Sequence, residues 1–234
     1  MPVTPVPPDQ IRPGQLGAVL LGRVIIGDIA ATFVDLSVRG LLAVEECDES
    51  GQTGWLLRTQ ATGRQLSALL PYERGLLDAA SDGGPSATIQ SLAPRMPEAL
   101  SSAREAIVRD AVDRGWLHRF RHGQRTDAGE QMALRIRRFQ RDLRKLATDQ
   151  GQAALSGRLL PYALHFGMAG RDQLPLVRFA HAWVVAFASL PGWHQAPPSR
   201  PDFDEPDAVA KPTIDEQIMD PNVGMGIWLT GWGT

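Results

Sequence analysis

Few side chains in this sequence have the type and spacing for bond-making chemistry. His118 and His122 stand four residues apart, the spacing at which two imidazoles on one helix share a metal ion. Their surroundings, Arg119, Phe120, Arg121 and Arg125, read instead as a short basic wing, where that spacing does not bring side chains together. No HExxH and no cysteine pair supports a metal site, since Cys47 is the sole cysteine. Negative neighbours, Glu45, Glu46 and Asp48, oppose a thiolate nucleophile at Cys47. Glu45 and Glu46 are adjacent on a predicted strand, so they point to opposite faces and form no acid/base pair. His165 lies in an apolar run beside Phe166 and reads as a core histidine. Asp82-Gly83-Gly84-Pro85-Ser86 has the glycines of a phosphate loop, but no lysine follows, and an inter-helix turn explains it. GxSxG, Walker A and GxGxxG patterns do not occur. The expectation is therefore no catalytic residue, no metal and no cofactor.

Charge gives a sharper signal. The chain balances 24 basic against 26 acidic residues. Residues 103–145, however, carry 12 basic and 6 acidic groups, between flanks that are each net negative. All but Lys145 and Lys211 of the cations are arginine. Arg137, Arg141 and Arg144 fall at helical spacing on one face, and Arg138 and Lys145 widen it. This stripe is either an anion- or partner-facing surface or a packing face for the acidic flanks. The aromatic end of the chain is the second candidate contact. Trp228 and Trp232 would be an aggregation hazard on a free tail, so they are expected to anchor that tail to its own domain or to a partner, including a second copy.

The elements that position these residues follow from periodicity and punctuation. Pro13 starts a first helix that Gly22 ends. Asp28 is read as the N-cap of a second, with Ile29, Phe33 and Leu36 as its buried stripe and Val34 and Val38 beside it. Arg39-Gly40 closes it, glycine being the C′ residue. Residues 41–46 and 55–60 read as paired strands around a polar loop, 47–54. The order then repeats. A helix begins at Pro71, a short one covers 88–92, and a long one runs from about 97 to 114 with Leu100, Ala103, Ile107 and Ala111 inward. It ends at Arg114-Gly115, as the first module ended at Arg39-Gly40. Asp127 is read as the cap of a helix to about 148, in which Met132, Ile136, Phe139, Leu143 and Leu146 form a heptad-like seam. Residues 159–168 and 174–190 complete the helices.

The resulting fold class is mainly α with small β wings (α+β). An arm (1–11) leads to winged-helix modules at 12–66 and 67–125, a C-terminal helical subdomain at 126–193, and a Pro/Asp-rich linker with the tryptophan tail at 194–234. The longest apolar stretch, 179–190, is too short to span a bilayer. The opening MPVTPVPPDQ has neither the basic nor the apolar region of a secretory signal, so a cytoplasmic location and no membrane span are expected.

The runs Pro13-Gly14-Gln15-Leu16-Gly17-Ala18 and Asp28-Ile29-Ala30-Ala31-Thr32-Phe33-Val34-Asp35-Leu36-Ser37-Val38-Arg39-Gly40 carry a resemblance. So do Leu70-Pro71-Tyr72-Glu73-Arg74-Gly75, Arg114-Gly115-Trp116-Leu117, Arg137-Arg138-Phe139-Gln140-Arg141-Asp142-Leu143 and Leu160-Pro161-Tyr162-Ala163-Leu164-His165-Phe166-Gly167. In order and spacing these blocks resemble the cytosolic portion of the DUF2207 family, bacterial membrane proteins, over residues 12–193. The resemblance implies a cytosolic domain of uncharacterised function and transfers no active-site residue. The family's extracytoplasmic domain and membrane helices have no counterpart here, which implies a soluble, free-standing relative.

Three functional readings remain open. The first is a non-catalytic protein- or peptide-binding adaptor or accessory protein serving a bacterial biosynthetic or secretion assembly. The second is a winged-helix DNA-binding regulator. Against it, the 28–39 helix offers Asp28, Thr32, Asp35 and Ser37, and its wing offers Glu45, Glu46, Asp48 and Glu49, groups that phosphates repel. The third is an enzyme with an unrecognised site.

Overall fold

Proline, glycine and capping groups set the helix boundaries. The computed structural model describes residues 4–49, 52–81, 84, 86–169 and 175–190. The chain divides into two units, Met1–Trp193 and His194–Thr234, and every described residue belongs to the first. Trp228, Trp232 and the linker before them lie outside the described residues. What is described is mainly helical, with one small antiparallel sheet.

A 3₁₀ turn at Pro13–Gln15 leads into α1 (Leu16–Leu21), which stops at Gly22. Helix α2 (Ile26–Val38) follows, and its N-cap is Ile25. Asp28, expected as the cap, is instead the third helical residue. Its carboxylate reaches back to accept the Ile25 N–H at 2.8 Å, so it satisfies an orphan donor from inside the helix. At the far end the Gly40 N–H donates to the Ser37 carbonyl and the Leu41 N–H to the Leu36 carbonyl, both at 2.9 Å. This paired closure requires a left-handed residue, which Gly40 supplies at φ +72°.

Strands β1 (Leu42–Glu49) and β2 (Gln52–Thr59) pair from Leu42↔Thr59 to Glu49↔Gln52. The expected polar loop 47–54 is therefore largely strand. Ladder bonds are backbone bonds, so polar residues at the solvated end extend a hairpin as well as apolar ones do. After α3 (Gly63–Ser67) and α4 (Pro71–Ser81), the short β3 (Ser86–Thr88) pairs with β2. The sheet order is β1-β2-β3. Helices α5 (Ile89–Leu92) and α6 (Met96–Asp113) follow, and α6 ends as α2 does, with Gly115 donating to Val112 and Trp116 to Ala111. Helix α7 (Asp127–Gln150) starts one residue before the expected position: Thr126 is the cap, its Oγ1 accepting the Gly129 N–H at 3.0 Å. Helices α8 (Leu160–His165) and α9 (Pro175–Phe187) complete the order. No helix among the described residues is long and apolar enough to cross a membrane.

Helix α2 lies at the centre. Every residue from Ile26 to Leu36 is buried, because α2 packs against α8, α9, β1, α4 and the Pro13–Gln15 turn. The one-stripe reading of this helix is thus corrected: Asp28, Thr32 and Asp35 face protein, not solvent. Phe33 meets Trp183 of α9 at 4.2 Å between ring centroids, and Phe179 links that pair to Trp55 of β2 at 5.8 Å. The seam of α7 is as expected, with Met132, Ile136, Phe139 and Leu143 buried and Leu146 half-buried. The packing is continuous across residues 66 and 125, since β3 joins the β1–β2 hairpin and α2 rests on α8 and α9.

One contact in this framework has an unusual sign. A Cβ on Gly129 would lie 1.9 Å from the Trp116 carbonyl oxygen, which is backbone and cannot move aside. A Cβ on Gly75, on the exposed side of α4, would meet nothing within 4 Å. Alanine is the better helix former by about 1 kcal/mol, so Gly75→Ala should raise the thermal midpoint. Gly129→Ala should lower it, by about 2 kcal/mol of overpacking. Calorimetry on the two variants checks this; a stabilised Gly129→Ala would contradict the close approach of α7 to Trp116.

Candidate functional site

The cations of α7 are placed by its amphipathic pattern. With the Met132-to-Leu143 seam turned inward, residues on the opposite side of the helix must face solvent. Arg137 is half-buried, and Arg138, Arg141, Arg144 and Lys145 are exposed. At 100° and 1.5 Å per residue, Arg137, Arg141 and Arg144 fall within an arc of about 60° and span about 10 Å of helix. Among the described residues, none of these five makes an ion pair. Elsewhere arginines are paired within the fold: Arg58 with Glu45, Arg74 with Asp78, Arg114 with Asp110, Arg135 with Asp9 and Arg178 with Glu46. Among the described residues no acid of the N-terminal flank pairs with this stripe, and all but Asp149 of the C-terminal flank's acids lie outside the described residues. Leu134, 53% exposed, lies one turn before Arg137 and Arg138 on the same side. The sequence pattern offered no sign of it, because a lone leucine outside the seam reads as its edge.

Behind this surface lies a buried polar system that the sequence did not announce. Asp28 is fully buried, and its Oδ1 accepts the Gly17 N–H of α1 at 3.1 Å while its Oδ2 accepts the Ile25 N–H. His165 Nδ1 of α8 sits 2.9 Å from Asp28 Oδ1, at ion-pair distance but without the alignment of a hydrogen bond. One carboxylate thus ties together α1, α2 and α8. Further along α2, Arg39 Nη1 bonds Asp35 Oδ2 at 2.9 Å and Glu73 Oε1 at 2.7 Å. Glu73 Oε2 accepts the Leu70 N–H at the start of α4. Burial pushes the Asp35 carboxyl up from the ordinary aspartate value, against the pull of Arg39. Burial also pushes the Tyr72 and Tyr162 phenols up, and the Tyr162 hydroxyl donates to the Ile11 carbonyl. Gln15 completes the system, bonding Asp110 through its amide nitrogen. These groups hold helices together.

The remaining candidates scatter. His165 is in the core, as expected. His118 and His122 are exposed in the loop that Leu117 and Arg125 close with a single antiparallel bridge. Glu45 and Glu46 are both exposed and take different partners, Arg58 and Arg178. Cys47 is half-buried. Among the described residues, no three of His, Cys, Asp and Glu come together as a metal site. Helix α2 is buried from Ile26 to Leu36, so Asp28, Thr32 and Asp35 are turned into the protein. Comparison with protein-family models, with curated proteins and with solved structures finds nothing that matches this chain.

Proposed function

We propose that this chain is a non-catalytic adaptor or accessory protein that presents the arginine face of α7 to an acidic protein or peptide segment. The carrying observation is that Arg138, Arg141, Arg144 and Lys145 stand exposed and without ion-pair partners among the described residues, on a helix whose other face is locked in the core. Arginine forks bind carboxylates in pairs of hydrogen bonds, and a rigid helix sets their spacing before the partner arrives. Leu134 adds an apolar contact to that row.

The rest of the reading keeps the same direction. The helix–Arg-Gly–strand passage at Arg39-Gly40, and the same glycine-closed helix end at Arg114-Gly115 before the single Leu117↔Arg125 bridge, support a tandem winged-helix framework. The resemblance to the cytosolic portion of the DUF2207 family supports a cytoplasmic partner protein in a bacterial biosynthetic or secretion assembly. A regulator that reads DNA with α2 is disfavoured by the burial of that helix.

The test is a tagged pull-down from the native host at low and moderate salt, with and without nuclease, read by mass spectrometry. A stoichiometric protein or peptide that survives nuclease and carries an acidic segment is expected. Nuclease-sensitive DNA with a steep salt dependence would overturn the reading in favour of a regulator.

A further inference from the structure

Two loops that are about 100 residues apart in sequence meet at one corner of the fold. Gly22, after α1, and Gly123 lie back to back: a Cβ on Gly22 would fall 2.1 Å from the Gly123 carbonyl oxygen. Arg125 clamps the same junction. Its Nη1 donates to the Val19 and Leu20 carbonyls at 3.2 and 2.9 Å, and its Nε donates to Glu130 at 2.8 Å. The Leu117↔Arg125 bridge and the His118 N–H to Gln124 carbonyl bond fix the base of the loop. Held in this way, Phe120 is 78% exposed, and Leu21 beside Gly22 is 39% exposed. Arg23, His118, Arg119, Arg121 and His122 are exposed in the same two loops. None of these five makes an ion pair among the described residues. Neither loop contains an acidic residue. Of the acids next to them in sequence, Glu130 is taken by Arg125, Asp127 is exposed at the start of α7, and Asp113 lines a shallow depression of about 410 Å³ with Leu117, His118 and Arg119.

We propose that this corner docks onto an anionic lipid surface. Phe120 and Leu21 enter the boundary between headgroups and acyl chains, while Arg23, Arg119 and Arg121 remain at the level of the phosphates. Three observations favour lipid over other polyanions. Phe120 sits on a closed loop and Leu21 at the end of α1 beside Gly22, and a fluid bilayer accepts protruding side chains without a complementary pocket, whereas a stable protein interface buries about 800 Å² per partner. Phe120 is the only large aromatic exposed among the described residues, and a nucleic-acid strand needs successive stacking platforms. The loop is held by backbone and Arg125 bonds in advance, so little order is lost on insertion. The corner shares no residue with the α7 face and does not depend on that surface's proposed role.

Sedimentation of the full chain with vesicles tests this directly. Vesicles of phosphatidylcholine with phosphatidylserine should carry the protein down at low salt, and phosphatidylcholine alone should not. Phe120→Ser should reduce the partition by about tenfold, the value of one exposed Phe entering an apolar layer. Arg119→Glu with Arg121→Glu should abolish it. Both changes are at exposed positions, so an unchanged thermal midpoint verifies the fold. A variant with Glu at Arg138, Arg141 and Arg144 should still bind; if it does not, the lipid contact belongs to α7 and the proposal fails. Failure of the wild type to bind the anionic vesicles, equal binding to neutral ones, or Phe120-dependent binding to oligo-dT in place of vesicles would each overturn it.

Discussion

Asp28→Ala is expected to destabilise the fold by about 3–5 kcal/mol, because it removes the acceptor of two backbone donors and the neighbour of a buried imidazole in one step. The Gly17 N–H belongs to the first turn of α1 and the Ile25 N–H is the N-cap donor of α2. A backbone N–H orphaned in the interior costs about 1–3 kcal/mol. The carboxylate packs closely against α1, where a Cβ on Gly17 would lie 2.0 Å from Asp28 Oδ2, so truncation to Ala also leaves an unfilled space there. Set against a typical stability of about 5–15 kcal/mol, this loss brings the chain close to unfolding. Asp28→Asn keeps the shape and one acceptor oxygen but turns an amide N–H toward a backbone N–H, so an intermediate loss is expected. Urea melts of the two variants check the order. If Asp28→Ala were milder than Asp28→Asn, the shared-cap account of α1 and α2 would be wrong.

The second large effect belongs to Arg39. Arg39→Ala should cost about 3–5 kcal/mol, the usual consequence of stripping one partner from a buried ionic group. Asp35 and Glu73 would be left facing each other, with only Arg12 Nε nearby, 3.7 Å from Glu73 Oε1. The pH dependence identifies the cause. Burial already raises the folded-state pKa of Asp35, and the hydrogen bond and charge of Arg39 hold it down. Without Arg39 it rises further, so the folded state of the variant holds a proton that the unfolded chain releases. Stability from such a group is present in acid and lost as pH rises through the folded pKa. The deficit of Arg39→Ala should therefore be largest at neutral pH and shrink as pH falls toward the ordinary value of 3.8. A deficit that does not change with pH would assign the loss to packing of the arginine stem instead.

These two residues also mark where sequence reading stopped. Features set by neighbours along the chain were legible: the Gly40 and Gly115 turns, the prolines that open α4 and α8, the buried faces of α6 and α7, and the arginine face opposite the α7 seam. Features set by distant contacts were not. Asp28, Thr32 and Asp35 interrupt the apolar stripe of α2 and so suggest a solvent face, yet Asp28 accepts the Gly17 N–H of α1, the Thr32 hydroxyl donates to the Asp28 carbonyl, and Asp35 bonds Arg39 at the helix end. The residue type of Asp28 favours a cap position, but its carboxylate acts from the third helical residue because Ile25 occupies the N-cap. The strand β3 is three residues long, too short to show alternation. The Leu21–Phe120 corner needed the contact between Gly22 and Gly123, which no spacing in the sequence encodes.

The central claim, that α7 presents a partner surface, is tested most directly by charge reversal. Tagged wild type, the variant with Arg138, Arg141 and Arg144 all changed to Glu, and a control with Arg64 and Arg158 changed to Glu would be compared for capture of partners from the native host. All three should share the wild-type thermal midpoint, since each changed residue is exposed. The account predicts that the nuclease-resistant partner is lost with the α7 variant and retained with the control. Retention of the same partner by the folded α7 variant would contradict it.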